Sequence, residues 1–314
     1  MKTKALVVVM LGVLASNAQA YDEPAVNLGR ASFLDGAPAP GGTGWIFSEY
    51  LVDYSANKMM NNAGNQLRSP PKQSYDVVSP VTQLVYLPPS GKFGNKQLGF
   101  LLALPWATRS DVDDGLHNKV LKGATGAGDL TAGVGLQFDP VMGAHGAVFA
   151  QRFGLQLTAP TGDYDRSAAL SPSSNFWSIA PYWAATVWAT PRLSFSARLN
   201  YLWNGKNTAP NTTFAPGASS SQAGQALFGN FSGEYALGST WSVGLSGYWL
   251  QQITDAKVNG ADDPATRERV WALGPEVMMR LSSTDVLSLS YYQEFAVENR
   301  TEGEKMMLRY SHHF

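Results

Sequence analysis

Four histidines carry the chain's obvious capacity for metal or acid–base chemistry: His117, His145, His312 and His313. The adjacent pair His312-His313 suggests a metal site. On an extended strand, however, neighbouring side chains point to opposite faces, so the two cannot readily chelate one ion. His117 falls in a long connection and His145 in a shorter one, and a metal site needs converging ligands. No metal and no cofactor are expected. For acyl transfer a serine needs a base held against it. Ser311 and His313 share a face two residues apart, at the end of the chain, with no third group to orient them. The glycine-rich stretch GATGAGDL (123–130) lacks phosphate-loop spacing and precedes a strand rather than a helix.

Charged side chains are more informative. Arg152, Gln156, Arg198, Asn200, Asn230, Glu234, Glu276, Arg280, Glu294, Lys305 and Arg309 alternate with apolar neighbours and lie opposite them on extended segments. Both signs are present. The elements that hold them read as strands. DLTAGVGLQF (129–138), LSFSARLNYLW (193–203) and WSVGLSGYW (241–249) each keep period two over nine or more residues, the pattern of a strand with one apolar face. The last residues do the same: Met306, Leu308, Tyr310, His312 and Phe314 oppose Lys305, Met307, Arg309, Ser311 and His313.

Twelve such strands are expected, over 43–54, 74–87, 96–107, 128–138, 147–159, 176–189, 193–204, 224–237, 241–253, 268–281, 285–297 and 304–314. Long connections follow strands one, three, five, seven and nine. Those after strands six, eight and ten are tight, and PPSGKFGN and DPVMGAHG are intermediate. A soluble sandwich has no reason to sort its loops this way. An outer-membrane barrel has, with long loops outside, short periplasmic turns, and both termini in the periplasm. Trp45, Trp106, Trp177, Trp188, Trp203, Trp241, Trp249 and Tyr310 fall near strand ends, where interfacial girdles sit.

Composition agrees. Charged residues are 15% and aromatic residues 11%, with 13 tyrosines and 9 tryptophans. An average soluble domain is roughly 25% charged. There is no cysteine, so neither a disulfide nor a thiolate nucleophile. Lys2 and Lys4, the apolar run 5–15 and the small residues Ala18 and Ala20 read as a signal peptide over 1–20, too short to span a membrane. Its removal leaves 21 basic residues against 24 acidic ones, which argues against nucleic-acid binding. The reading is an all-β transmembrane antiparallel barrel over 43–314. It is preceded by a proline- and glycine-rich segment, 21–42, lying beneath the barrel or inside it.

Cations at the lipid midplane cost about 2–4 kcal/mol, so the charged residues belong in the lumen. Arg152, Arg198, Glu234, Glu276, Arg280, Glu294 and Arg309 are therefore the expected pore lining. The alternative is a lumen plugged by their mutual ion pairs. Twelve strands favour a bore, because solidly filled barrels have about eight. Neutralising Arg152 with Arg198 is expected to shift ion preference toward cations, and neutralising Glu276 with Glu294 the other way. Pro80, Pro105, Pro181 and Pro275 fall within or near the ends of strands and predict local breaks in the ladder.

APTGDYD (159–165), YWLQQITD (248–255), ALGPEV (272–277) and QEFAVENRTEGEKMMLRYSHHF (293–314) resemble the bacterial meta-pathway of phenol degradation proteins. The likeness runs from about Asn27 to the end, strongest after Ala159 and weakest in the first two long loops. It implies a monomeric, twelve-stranded outer-membrane channel for passive diffusion of bulky hydrophobic or aromatic solutes, often encoded beside enzymes of aromatic catabolism. It implies no catalytic residues. A lipid-hydrolysing barrel and a structural barrel with a filled lumen are the competing functions. Expected partners are outer-membrane lipid and lipopolysaccharide, small-molecule substrates, and the barrel-assembly machinery. The last would read the final strand through the terminal aromatic, Phe314.

Overall fold

The alternating segments form strands that are closed on themselves. The structure, a computed structural model, describes residues 26–67, 74–113, 123–212 and 215–314; the signal segment and His117 lie outside these. The barrel strands are β1 (Gly44–Met59), β2 (Ser74–Leu87), β3 (Lys96–Ala107), β4 (Leu130–Phe138), β5 (Gly146–Ala159) and β6 (Ser178–Trp188). They continue as β7 (Leu193–Asn204), β8 (Ala226–Leu237), β9 (Trp241–Gln252), β10 (Arg269–Arg280), β11 (Asp285–Glu298) and β12 (Thr301–His313). Each pairs antiparallel with its neighbours in sequence. β12 returns to β1, from Ile46 opposite His313 to Met59 opposite Thr301, so the barrel has no open edge.

β1 runs to Met59, beyond the expected end at residue 54. Its upper part is held by β12 across a bulge between Ala56 and Lys58. The connection between β11 and β12 is a tight hairpin at Asn299-Arg300, so the last outer connection lacks the length of the other five. The long loops instead pack on one another across the outer mouth. Tyr164 donates its hydroxyl to the Ala209 carbonyl at 2.9 Å, and Asn175 donates to Asn207 at 2.9 Å. Asp129, buried at the top of β4, accepts from the Gly162 amide, the Ser173 hydroxyl and the Ser174 amide, which pins the loop before β6.

The prolines interrupt the ladder on one side only. Pro181 pairs with Leu155 on β5, but pairing with β7 lapses between Ile179 and Tyr182. Pro275 pairs with Leu245 on β9, while pairing with β11 lapses between Leu273 and Glu276. Pro80 pairs with Leu51 on β1, and Pro105 with Val81 on β2. A proline lacks one donor, so it costs one flank of the sheet and leaves the other intact.

The outward face is apolar: Leu51, Phe100, Leu102, Val134, Phe153, Leu199, Leu245, Leu289 and Leu308 are all exposed. Rings mark both rims. Trp45 stacks on Tyr86 at 4.4 Å near the periplasmic edge, and Trp249 on Trp271 at 5.9 Å near the outer edge. Some acids depart from the pattern, exposed Asp53 opposite outward Met306 among them. Glu49 lies on the outward face of β1 between Thr82 and Tyr310, with its carboxylate accepting the Thr82 hydroxyl at 2.8 Å. Charge on this barrel is therefore not confined to the lumen.

Candidate functional site: the lumen and its N-terminal strap

The lumen is not an open bore in this conformation. Residues 26–42 lie inside the barrel as an irregular strap, Val26 uppermost beside Leu202 and Phe228 and the chain descending to β1 at the periplasmic rim. Such a segment has no sheet to satisfy its backbone, so wall side chains must do so. Asn230 donates to the Asn27 carbonyl at 2.7 Å and accepts the Gly29 amide through Oδ1. Tyr292 donates to the Gly29 carbonyl at 2.9 Å, and Lys305 to the Leu28 carbonyl at 3.2 Å. Lower down, Thr186 Oγ1 accepts the Gly36 amide at 3.0 Å and Gln137 donates to the Gly36 carbonyl at 3.0 Å. A Cβ on Gly36 would collide with the Ala185 backbone, so only glycine fits where the strap crosses β6.

One carboxylate anchors the strap. Asp35 receives Arg198 Nε at 2.7 Å and Arg198 Nη2 at 2.8 Å, a two-pronged pair, while Arg152 Nη2 reaches it at 2.9 Å. Arg152 also donates to the Asp35 carbonyl at 2.6 Å. The Arg198 guanidinium lies 4.2 Å from the Tyr182 ring centroid. These groups are largely out of solvent, at 13% exposure for Asp35, 8% for Arg198 and 24% for Arg152. Burial alone would raise the Asp35 pKa. The charges of Arg198 and Arg152 and the Arg198 hydrogen bonds outweigh it and hold the carboxyl at about 2.

The other expected charges sit around this clamp. Glu294 accepts Tyr54 at 2.9 Å, Tyr248 at 2.8 Å and the Gly303 amide at 3.0 Å. Glu234 accepts Ser194 at 3.0 Å. Glu276 is buried near Ser32 of the strap, Ser246 and Arg309, and Arg309 lies against Tyr50. Arg280 stands near the periplasmic end of β10. Gln156, Asn200 and Asn230 also face inward, Gln156 bordering a small cavity. The structure thus brings Arg152 and Arg198 together on Asp35, and Glu276 beside Arg309. It leaves Glu234, Glu294 and Arg280 apart from that clamp.

Ser311 and His313 do not form a nucleophile–base pair. Ser311 shares a hydrogen bond with Ser48 at 2.8 Å, and His313 Nε2 lies 3.2 Å from the Thr43 carbonyl. His312 points outward to Asp285 at 2.8 Å.

The sequence pattern missed Thr186 and Tyr292, which hold the strap, Tyr182, which lies against Arg198, and an apolar band inside the barrel. Leu202, Phe228, Leu250, Val270, Ala272 and Val297 are buried inward-facing residues, each at most 2% exposed, gathered toward the outer mouth. Buried Asn204, Gln252 and Glu268 border them on the outer side, and below them the inward side chains are largely polar or charged. A cavity of about 40 Å³ lies at the lower edge of this band, bordered by Val26, Arg30, Gln83, Leu101, Leu202 and Phe228. It has room for a few waters, not for an aromatic solute.

A closed barrel with an apolar outer band, ringed rims and a tethered luminal strap is an outer-membrane β-barrel. Comparison with known proteins narrows the class. The chain belongs to the family described as MetA-pathway of phenol degradation, whose model matches residues 56–310. Among solved structures it is similar to an outer membrane channel from Pseudomonas putida F1. That likeness has 18% identity and a TM-score of 0.76, over 92% of this chain and all of the other. The translocator domain of the autotransporter NalP from Neisseria meningitidis matches at 9% identity and TM-score 0.48, over 99% of this chain and 98% of that one. KdgM porin matches at 10% and 0.42, over 85% and 99%. No curated protein matches the chain.

Proposed function

We propose that this protein is a monomeric outer-membrane channel for passive diffusion of bulky hydrophobic or aromatic molecules, serving their uptake for catabolism. The observation that carries this reading is an apolar band in the upper lumen. Leu202, Phe228, Leu250 and Val270 face inward, where a route for ions or sugars would present polar walls. The family name supports the aromatic class. Export by the 1–20 signal peptide and assembly through the strand ending at Phe314 belong to the same proposal, as does a pore-lining role for Arg152, Arg198, Glu234, Glu276, Arg280, Glu294 and Arg309. The strap favours one competing reading, a structural barrel with a permanently filled lumen.

Uptake distinguishes them. Cells lacking the protein should accumulate a labelled two-ring hydrocarbon more slowly than complemented cells at limiting concentration, with uptake of a small sugar unchanged. Equal hydrocarbon uptake in both strains would favour the structural barrel.

A further inference from the structure

The clamp on Asp35 has the form of a receptor site. Two guanidiniums from different strands, Arg152 on β5 and Arg198 on β7, converge on one carboxylate, with Arg198 gripping both oxygens. Two-pronged arginine geometry is specific for planar carboxylates. The ring of Tyr182 lies against Arg198 and holds it in place from one side. The occupant belongs to no strand. It is a side chain of the strap, which the wall also holds through hydrogen bonds to its backbone.

The strap also offers a ring beside its acid. Phe33, two residues before Asp35, is buried to 5% exposure, with Cζ 3.1 Å from where a Cβ on Gly244 would stand. Leu34 between them adopts a left-handed φ of 58°, and the Ala37 amide closes a turn onto the Leu34 carbonyl at 2.9 Å. The strap therefore presents an aromatic ring and a carboxylate two residues apart, one against the bare backbone of Gly244 and the other between two arginines.

We propose that Arg152, Arg198 and the floor at Gly244 form a binding site for an aromatic carboxylate, and that Asp35 and Phe33 are its built-in occupants. An aromatic acid competes with the strap for the site, so its binding and strap release are one exchange. This inference rests on the reading of the protein as a channel and adds a substrate class and a gate to it. Two buried guanidiniums deprived of their carboxylate leave a large electrostatic demand for another. A ligand that binds only the strap-free state is penalised by the fraction of time the strap is docked, and weakening the strap lifts that penalty.

The test measures benzoate binding by titration calorimetry on the purified, heat-modifiable full barrel. The proteins compared are wild type, Asp35→Asn, Asp35→Asn with Arg198→Gln, and Asp139→Asn. The last removes the same charge from an exposed periplasmic turn, where Asp139 meets Lys92. Asp35→Asn should bind benzoate at least about tenfold more tightly than wild type, a difference of about 1.4 kcal/mol. Asp139→Asn should match wild type, and the added Arg198→Gln should abolish the gain. Benzyl alcohol, with the ring but no charge, should show no such gain. A folded Asp35→Asn barrel that binds benzoate no better than wild type would overturn the proposal, as would a gain that survives Arg198→Gln. A misfolded Asp35→Asn is replaced by Phe33→Ala, which leaves the clamp intact and should also tighten benzoate binding; no gain there counts equally against the site. Hydrocarbon uptake by cells is a separate readout, so failure of the channel reading is not confused with failure of this one.

Discussion

At the scale of single residues, the face a side chain occupies decides what it tolerates. Leu199 is exposed at mid-strand on the outer face of β7. Leu199→Arg should therefore cost about 2–4 kcal/mol and reduce the folded, heat-modifiable fraction. Ser196 is inward, and from the sequence alone Ser196→Arg should be tolerated. The structure revises that: Ser196 bonds Thr186 at 2.9 Å, and Thr186 holds the strap at Gly36. The arginine should leave the barrel folded and displace the strap. Equal loss of folded protein from both changes would contradict the assigned faces. Asp35 sets a second residue-scale expectation. Its carboxyl is lowered from 3.8 to about 2. The stability it contributes is full above the ordinary value and is lost as pH falls through the lowered one. Asp35→Asn, which leaves two arginines unpaired, should cost about 3–5 kcal/mol near neutrality. In urea titrations, that gap from wild type should hold constant above about pH 4 and shrink as pH approaches about 2. A gap that stays constant across that whole range would show that the clamp is not ionic.

At the scale of elements, the strap is the part whose behaviour is least fixed by the wall. Gly36 abuts the Ala185 backbone, so Gly36→Val should expel the strap without disturbing β6. The chain has no cysteine, so a single Ala37→Cys gives a clean reporter. Its labelling by a membrane-impermeant maleimide should be slow when Gly36 is kept and markedly faster when Gly36→Val is added. Unchanged labelling would mean the strap does not depend on that crossing. The strands themselves were largely legible in the sequence. Their period-two pattern marks both faces, and tight turns such as 238–240 bound their ends. The position of the strap was not legible, because a proline- and glycine-rich segment has no periodicity to declare a face. Arg152 and Arg198 read as inward, but their partner could not be found from them. Asp35 is 117 residues from Arg152 and 163 from Arg198, and it lies in no strand. The apolar lumen escaped for a related reason. Leu202 and Phe228 interrupt the polar-inward rule, and on strands apolar on both sides alternation says little. Glu49 interrupts the rule the other way.

At the scale of the whole molecule, a twelve-stranded barrel encloses more space than its own wall side chains fill. Here the chain supplies a plug from its N-terminal end and ties it with a largely buried carboxylate held by two arginines. This alters the expected ion selectivity. Neutralising Arg152 and Arg198 together would remove the partners of Asp35 as well as two wall charges, so a shift toward cations would come with strap release. The most direct test is single-channel conductance in planar bilayers, comparing the intact barrel with one lacking residues 26–42 and confirming by heat modifiability that both are folded. The account predicts a small conductance for the intact protein and a severalfold larger one without the strap, because an unobstructed bore of this size conducts. Equal conductance from the two barrels would contradict it and show that the strap does not close the lumen.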